Sequence, residues 1–260
     1  MSHAVPVAPV GAASWRRLLL AIALLLTALG ASVGVSPSPA SATPPAGADW
    51  LGVLNWYRQS SGLAPVSEQP AWSAGIKAHV DYLRLTPASY LTGAYASAHT
   101  ENPASPYYTA EGAAAGGASN LGYGSSDKEA IENLMRAPFH AVHMLSPGLT
   151  QVAFYRDPSS GMAGLDVLRG STGGTPASPI LFPGNGSVVD LTSGGGELPN
   201  PLETCGYSAP SGLPLFAMLT STPSSRLTAD LTGPNGTISS GGSDLCVVSQ
   251  FTYRTTDGVY

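Results

Sequence analysis

Apolar residues recur at helical spacing along the first half of the chain. Asp49 can cap a first helix and Gly62 can end it. The apolar positions on one face of this helix are Trp50, Val53, Leu54 and Tyr57. A second helix is predicted over 71–85, with a buried stripe at Trp72, Ile76, Val80 and Leu83. His79 falls beside this stripe, so we interpret it as a histidine lodged at a helix edge.

A third helix is predicted at a capping box, in which Ser126 and Glu129 can bond each other's backbone. Pro138 ends or kinks that helix. Alternating apolar residues then predict two strands, over 150–156 and 162–168, joined by a turn. Helices, a histidine-bearing loop, another helix and a hairpin together predict an α+β layered domain.

Turn residues divide the remainder of the chain. We predict one domain over 43–169, a linker over 170–179 and a small all-β, sandwich-like domain over 180–260. The chain stops soon after a turn, which fits a domain truncated before its last strand. The candidate strands of this region start at Ile180 and cover 214–220 and 226–231, the latter beside 244–248.

The N-terminus has the pattern of a secretory signal peptide. Arg16 and Arg17 precede nine apolar residues at 18–26, and small residues lead to the A-x-A motif that ends at Ala42. A retained membrane anchor is the alternative, but a spanning helix needs about 20 apolar residues. We therefore expect cleavage after residue 42, a secreted protein and no transmembrane segment in the mature chain.

Charge and cysteine content narrow the function classes. Removing residues 1–42 takes away two arginines and no acid, which leaves nine basic and sixteen acidic side chains, net −7. Such a surface repels phosphate backbones, so nucleic-acid binding is not expected. In an exported protein, Cys205 and Cys246 most simply form one structural disulfide, and a reactive thiol is the alternative.

Histidines and glutamates supply the candidate chemistry. His99, Glu101 and Glu111 lie in a long, weakly structured stretch, and His140 and His143 come from a separate segment. Together they predict either a divalent-metal site or an acid–base pair, while surface or hydrogen-bonding roles stay open. The sequence has no HExxH, GxSxG, P-loop or GxGxxG motif.

Six segments, in chain order, resemble motifs of the CAP superfamily, which takes in cysteine-rich secretory proteins, antigen 5 and pathogenesis-related proteins. The likeness is to the bacterial domains and covers about residues 50–168. The segments are LNWYR with GLAPV at 54–66, the helix at 72–83, Ala98-His99, SNLGYG at 119–124, EAIENLMRAPFH at 129–140, and ML at 144–145 with TQVAF at 150–154.

The resemblance implies an α-β-α sandwich with a central cleft, in which two histidines and two glutamates can bind zinc. His99 and His140 take the two histidine positions. Ser119 stands where the first glutamate belongs, and Ala137 falls near the second. Leu134 replaces the usual tryptophan. Two acids are thus missing from their expected positions.

Glu101 and Glu111 are the acids that could substitute, and they are the candidate catalytic residues. Two imidazoles without carboxylates hold a metal weakly, so zinc on His99 and His140 is a candidate cofactor only. The leading hypothesis is a non-enzymatic extracellular module that binds a small molecule, lipid or protein. A metal-assisted hydrolase is the alternative. The expected cleft residues are His99, Glu101, Ser119, Asn120 and His140.

Overall fold

A computed structural model describes residues 42–221, 223, 225 and 227–249. The predicted signal peptide up to Ser41, and the chain end from residue 250 on which the predicted truncation rests, lie outside the described residues. Within the described part, no helix is long and apolar enough to cross a membrane.

The described α-helices are α1 Trp50–Ser60, α2 Pro70–Leu85, α3 Ala110–Gly116, α4 Asp127–Met135 and α5 Pro138–Met144. Of these, α1, α2 and α4 correspond to the three predicted helices, whereas α3 and α5 were not predicted. Asp49 Oδ1 accepts a hydrogen bond from the Gly52 N–H at 2.7 Å, which caps α1 as predicted. Gly62 follows that helix with φ +77°, a conformation that glycine adopts at little cost. Ser126 Oγ caps α4 by accepting from the Glu129 N–H at 3.2 Å.

The stretch before the third predicted helix is more ordered than the sequence suggested. It contains α3 and two short 3-10 helices, Ala88–Tyr90 and Gly93–Tyr95. Thr109 Oγ1 caps α3 by accepting from the Gly112 N–H at 2.8 Å. The helix forms because this cap precedes a run rich in alanine, the residue with the highest helix propensity.

A four-stranded sheet forms the middle layer. Its strands are β1 Ser67–Glu68, β2 Ser119–Tyr123, β3 Gln151–Arg156 and β4 Met162–Asp166, in the order β1-β3-β4-β2. The pair β3–β4 is the predicted antiparallel hairpin. β2 pairs with β4 on the other side, where Ser119 lies opposite Asp166.

Alternate side chains of β3 pack against helices on opposite faces of the sheet. Val152 and Phe154 join a cluster built by α1, α4 and α5. Ala153 joins a second cluster with Ile76 and Val80 of α2. Because successive residues of a strand point to opposite faces, one strand contributes to both layers. This is the α-β-α sandwich that the resemblance implied.

Arg58 ties the loops around the first layer together. Its side chain is buried and donates to four backbone carbonyls, those of Ala64, Met144, Ser146 and Leu149, at 2.7–3.2 Å. Burial lowers the pKa of Arg58 to about 10. A guanidinium has five donors in a rigid fork, which suits it to this role.

The C-terminal part forms two separate two-stranded sheets. They pair β5 Ile180–Phe182 with β6 Phe216–Met218, and β7 Asp230–Gly233 with β8 Gly236–Ser239. The predicted pairing of 226–231 with 244–248 is wrong, because the turn at Pro234 and Asn235 brings β8 against β7 first. Cys205 and Cys246 form the predicted disulfide, with Cα atoms 5.8 Å apart.

Side chains of the C-terminal part also contribute to the main core. Phe182 and Leu191 are buried in the same cluster as Tyr57 of α1. The Phe182 ring stacks on Phe216 at 5.2 Å between centroids, and it meets Tyr57 edge-on at 6.1 Å. The chain beyond residue 170 is therefore held against the first layer by aromatic packing.

Candidate functional site

A cleft of about 440 Å³ opens where β2, α5 and the C-terminal part meet. The structure thus brings four of the five predicted cleft residues together with three further polar side chains. The polar residues lining the cleft are Ser97, His99, Ser119, Asn120, His140, His143 and Glu197.

His99 presents a hydrogen-bond acceptor to the cleft. Its Nδ1 lies 3.0 Å from the carbonyl oxygen of Gly116. A carbonyl only accepts, so Nδ1 carries the proton and Nε2 of the neutral ring keeps its lone pair. Partial desolvation of the ring lowers the pKa of His99, although the side chain stays exposed at the cleft mouth and solvent limits the shift. The neutral form therefore dominates at neutral pH.

Ser119 contributes a buried hydroxyl on β2. The residue is 6% exposed and lines the cleft. Its Oγ has no hydrogen-bond partner among the described residues. Leaving such a group unpaired costs about 1–3 kcal/mol. A ligand group that bonds this oxygen would recover that free energy.

Helix α5 carries His140, the second imidazole of the cleft. Its N-terminus is capped by a residue that is distant in sequence. Its N-cap, Ala137, has no polar side chain and makes no cap hydrogen bond. Instead, the N–H groups of Phe139 and His140 donate to the carboxylate of Glu197 at 3.1 and 2.9 Å. A negative charge is favourable there because the first N–H groups of a helix have no partner within it.

Glu197 also lies against the ring of His140. Nδ1 of that ring is 2.8 Å from Oε1 of Glu197, but the two are not aligned as a hydrogen bond. The Glu197 side chain is 1% exposed. Asn120 Nδ2 donates to the His140 carbonyl oxygen at 2.9 Å, which fixes α5 against β2. The strand and the C-terminal part thus hold His140 between them.

The rest of the cleft is apolar. Burial lowers the pKa of His143, and a hydrogen bond to the Phe139 backbone only partly offsets this effect. His143 is therefore a second neutral imidazole at neutral pH. The apolar lining residues are Phe139, Val167, Leu168, Leu198 and Pro199.

A second depression, of about 480 Å³, lies between α5 and the C-terminal part and shares His143 with the cleft. Its described lining contains no Asp, Glu, Lys or Arg. Its polar side chains are hydroxyls and the shared imidazole.

Glu101 and Glu111 lie elsewhere. Glu101 is buried beneath α3, where its Oε1 is 2.8 Å from Nδ1 of His79 and its Oε2 accepts from the Thr109 N–H at 3.2 Å. It is not among the described residues lining the cleft. Glu111 is an exposed residue in the first turn of α3. His79 has a structural role, as interpreted, but it lies deeper than the helix edge, because its ring is 1% exposed and bonded at both nitrogens.

The donor set does not fit a zinc ion. A protein zinc site uses three or four side-chain ligands. Within the described residues, no group of three or more His, Cys, Asp or Glu side chains is placed to hold a metal. The contact between His99 Nδ1 and a carbonyl leaves Nε2 as the one ring atom of His99 that could bind a metal. Two imidazoles alone fall short of such a site.

Sequence reasoning missed Glu197 as a site residue. It lies 57 residues from His140, and no periodicity links the two. The available signal was indirect: an acid that opens the extended segment Glu197-Leu-Pro-Asn-Pro201, in a chain that lacks two acids at the expected positions. Pro199 and Pro201 stiffen that segment and so favour an extended path for it.

Comparison with known families matches residues 51–162 to the model of the cysteine-rich secretory protein family, CAP. No curated protein and no solved structure matches the chain. The matched range contains His99, Ser119, Asn120 and His140, whereas Glu197 lies outside it. Residues 51–162 of this chain therefore form a domain of the CAP superfamily.

Proposed function

We propose that this chain is an exported, non-enzymatic module whose CAP domain binds a small extracellular molecule in the cleft described above. The observation that carries the proposal is the Ser119 hydroxyl: the residue lines the cleft, and its buried Oγ has no partner among the described residues. Concave sites with apolar walls and a few convergent polar groups are the usual form of a small-molecule site.

The cleft polar groups offer complementary bonds to one ligand head group. His99 Nε2 accepts a hydrogen bond, and the Ser119 hydroxyl can donate or accept one. The walls at Phe139, Val167 and Leu168 would receive an apolar body. A ligand that carries one polar end on an apolar group fits this arrangement of polar and apolar cleft residues.

Catalysis has weaker support than binding. A general base must lie within hydrogen-bond reach of the group it deprotonates, directly or through one water. Glu101 is already engaged by His79 and the Thr109 N–H, and Glu111 is exposed on α3. Among the described residues, no three His, Cys, Asp or Glu side chains are placed to hold a catalytic metal. These contacts favour the binding module over a metal-assisted hydrolase.

Export is supported by two independent features. The N-terminal 42 residues have the order of a signal peptide, with basic, apolar and small residues in turn. Cys205 and Cys246 form a disulfide, a bond that persists mainly in oxidising compartments. Both features support a location of the cleft outside the cytoplasm.

Benzyl alcohol is a suitable first probe, since it joins one hydroxyl to an apolar ring. We expect it to shift the backbone amide signals of Ser119, Asn120 and His140 in a two-dimensional NMR titration of the mature protein. Ser119→Ala should weaken binding several-fold, because the hydroxyl partner is lost. Thr192→Ala, at an exposed position of the C-terminal part, serves as the control and should bind as the wild type does. Unchanged signals for these amides up to the solubility limit of the probe would contradict the proposal.

A further inference from the structure

The cleft has one formally charged side chain. No Lys or Arg lies among its described lining residues, and Glu197 is the acid among them. His99 and His143 add no positive charge at neutral pH, because burial lowers the pKa of both. The chain as a whole is also acidic, so its long-range electrostatic field likewise attracts cations and repels anions.

The position of Glu197 lets its charge act on the cleft without a direct contact. The side chain is 1% exposed, is held by two neutral backbone N–H groups and lies 2.8 Å from Nδ1 of His140. Its field therefore reaches the cleft through protein rather than through water, and charges separated by protein interact more strongly. A cation in the cleft is favoured and an anion is disfavoured.

The neighbouring groups suit an N–H donor. His99 Nε2 has a lone pair that an ammonium N–H can use. Phe139 belongs to the same wall, and aromatic faces attract cations. The other apolar wall residues are Val167, Leu168, Leu198 and Pro199. One charged head group and one apolar body can both be accommodated.

We infer that the cleft selects a protonated amine carried on an apolar group, and that Glu197 from the C-terminal part determines this preference. The inference rests on the proposed function, since it names the class of ligand for the same cleft. It also makes residues outside 51–162 part of the binding site rather than a separate module.

Three probes of nearly equal shape test the inference: benzylamine, benzyl alcohol and benzoate, titrated separately into the mature protein by NMR. We expect benzylamine to bind about tenfold more tightly than benzyl alcohol, and benzoate to bind more weakly than either. Glu197→Gln keeps the size of the side chain and removes its charge. It should reduce the amine preference to about twofold. Glu203→Gln, at an exposed glutamate of the same region, should keep the full preference.

The outcomes separate the inference from the proposed function. Equal affinities for the three probes, or tightest binding of benzoate, would overturn the amine preference while the cleft still binds. Retention of the full preference in Glu197→Gln would overturn the role of that residue. Binding of none of the three would instead reject the proposed function. If Glu197→Gln does not fold, the comparison of the three probes on the wild-type protein still tests the amine preference.

Discussion

The histidines of this protein differ in what their ring nitrogens face. His79 is enclosed between Glu101 on one side and the Ala98 carbonyl on the other, at 2.8 Å each. His99 has one nitrogen on a carbonyl and directs the other to the cleft. His79 is therefore a structural group, whereas His99 is available to a ligand. Sequence spacing could not separate them, because both roles use the same side chain.

The buried pair of His79 and Glu101 should contribute strongly to stability. His79→Leu would leave the Glu101 carboxyl group enclosed with the Thr109 N–H as its remaining contact. We expect a loss of about 3–5 kcal/mol in the free energy of unfolding, as for other buried pairs that lose one member. Urea denaturation measures this loss. Lys77→Ala, in an exposed ion pair on the same helix, should change the unfolding free energy little. A loss below about 1 kcal/mol, the value of an exposed pair, would contradict this account.

Helix α3 approaches α2 closely because glycines face the buried pair. A Cβ at Gly116 would overlap the ring of His79, and one at Gly112 would lie 2.6 Å from Glu101 Oε1. Gly75 on α2 faces the Glu111 carbonyl at a similarly close distance. These small residues let the two helices enclose the imidazole and the carboxylate between them.

Gly116→Ala and Gly117→Ala form a matched pair that tests this packing. Alanine at 116 should lower the free energy of unfolding by about 1–3 kcal/mol, the usual cost of overpacking. At 117 the new Cβ would lie 3.6 Å from its nearest neighbour, an ordinary contact, so that variant should be neutral or slightly more stable. Thermal unfolding of both variants gives the comparison. Equal melting temperatures would show that α3 does not rest on His79.

The helices and the central hairpin could be read from the sequence because their signals are local. Asp49 and Ser126 cap their helices through contacts three residues away, and the strands at 151–156 and 162–166 alternate between two buried faces. The C-terminal strands were harder to place. Their apolar runs are short and β7 is exposed along its length, so burial does not fix which segments pair.

The sequence predicted only part of the candidate site, because residues from segments distant along the chain form it. The resemblance located His99, Ser119, Asn120 and His140, which line the cleft. Glu101 was close in sequence to His99, yet its carboxylate turns to His79. Glu197 was distant in sequence, and it reaches α5 through tertiary packing. Proximity along the chain is a poor guide to a site that several elements build.

The CAP domain and the C-terminal part form the cleft together. β2 and α5 lie on one side of it, and the segment from Glu197 to Pro199 lies on the other. Gly195 N–H donates to the Arg136 carbonyl at 3.1 Å, just before Glu197 caps α5. The C-terminal part is thus fixed to the CAP domain beside the site. A CAP domain expressed without it would lack the carboxylate and part of the apolar wall.

The most direct test of the account is a histidine side-chain nitrogen NMR spectrum of the mature protein, recorded with and without benzylamine at neutral pH. The account predicts that His99 carries its proton on Nδ1, that the Nε2 signal of His99 shifts as the probe is added, and that the His79 signals stay in place. A His99 ring protonated on Nε2 instead of Nδ1, or His99 signals that do not respond to the probe, would contradict a cleft in which this imidazole receives the ligand.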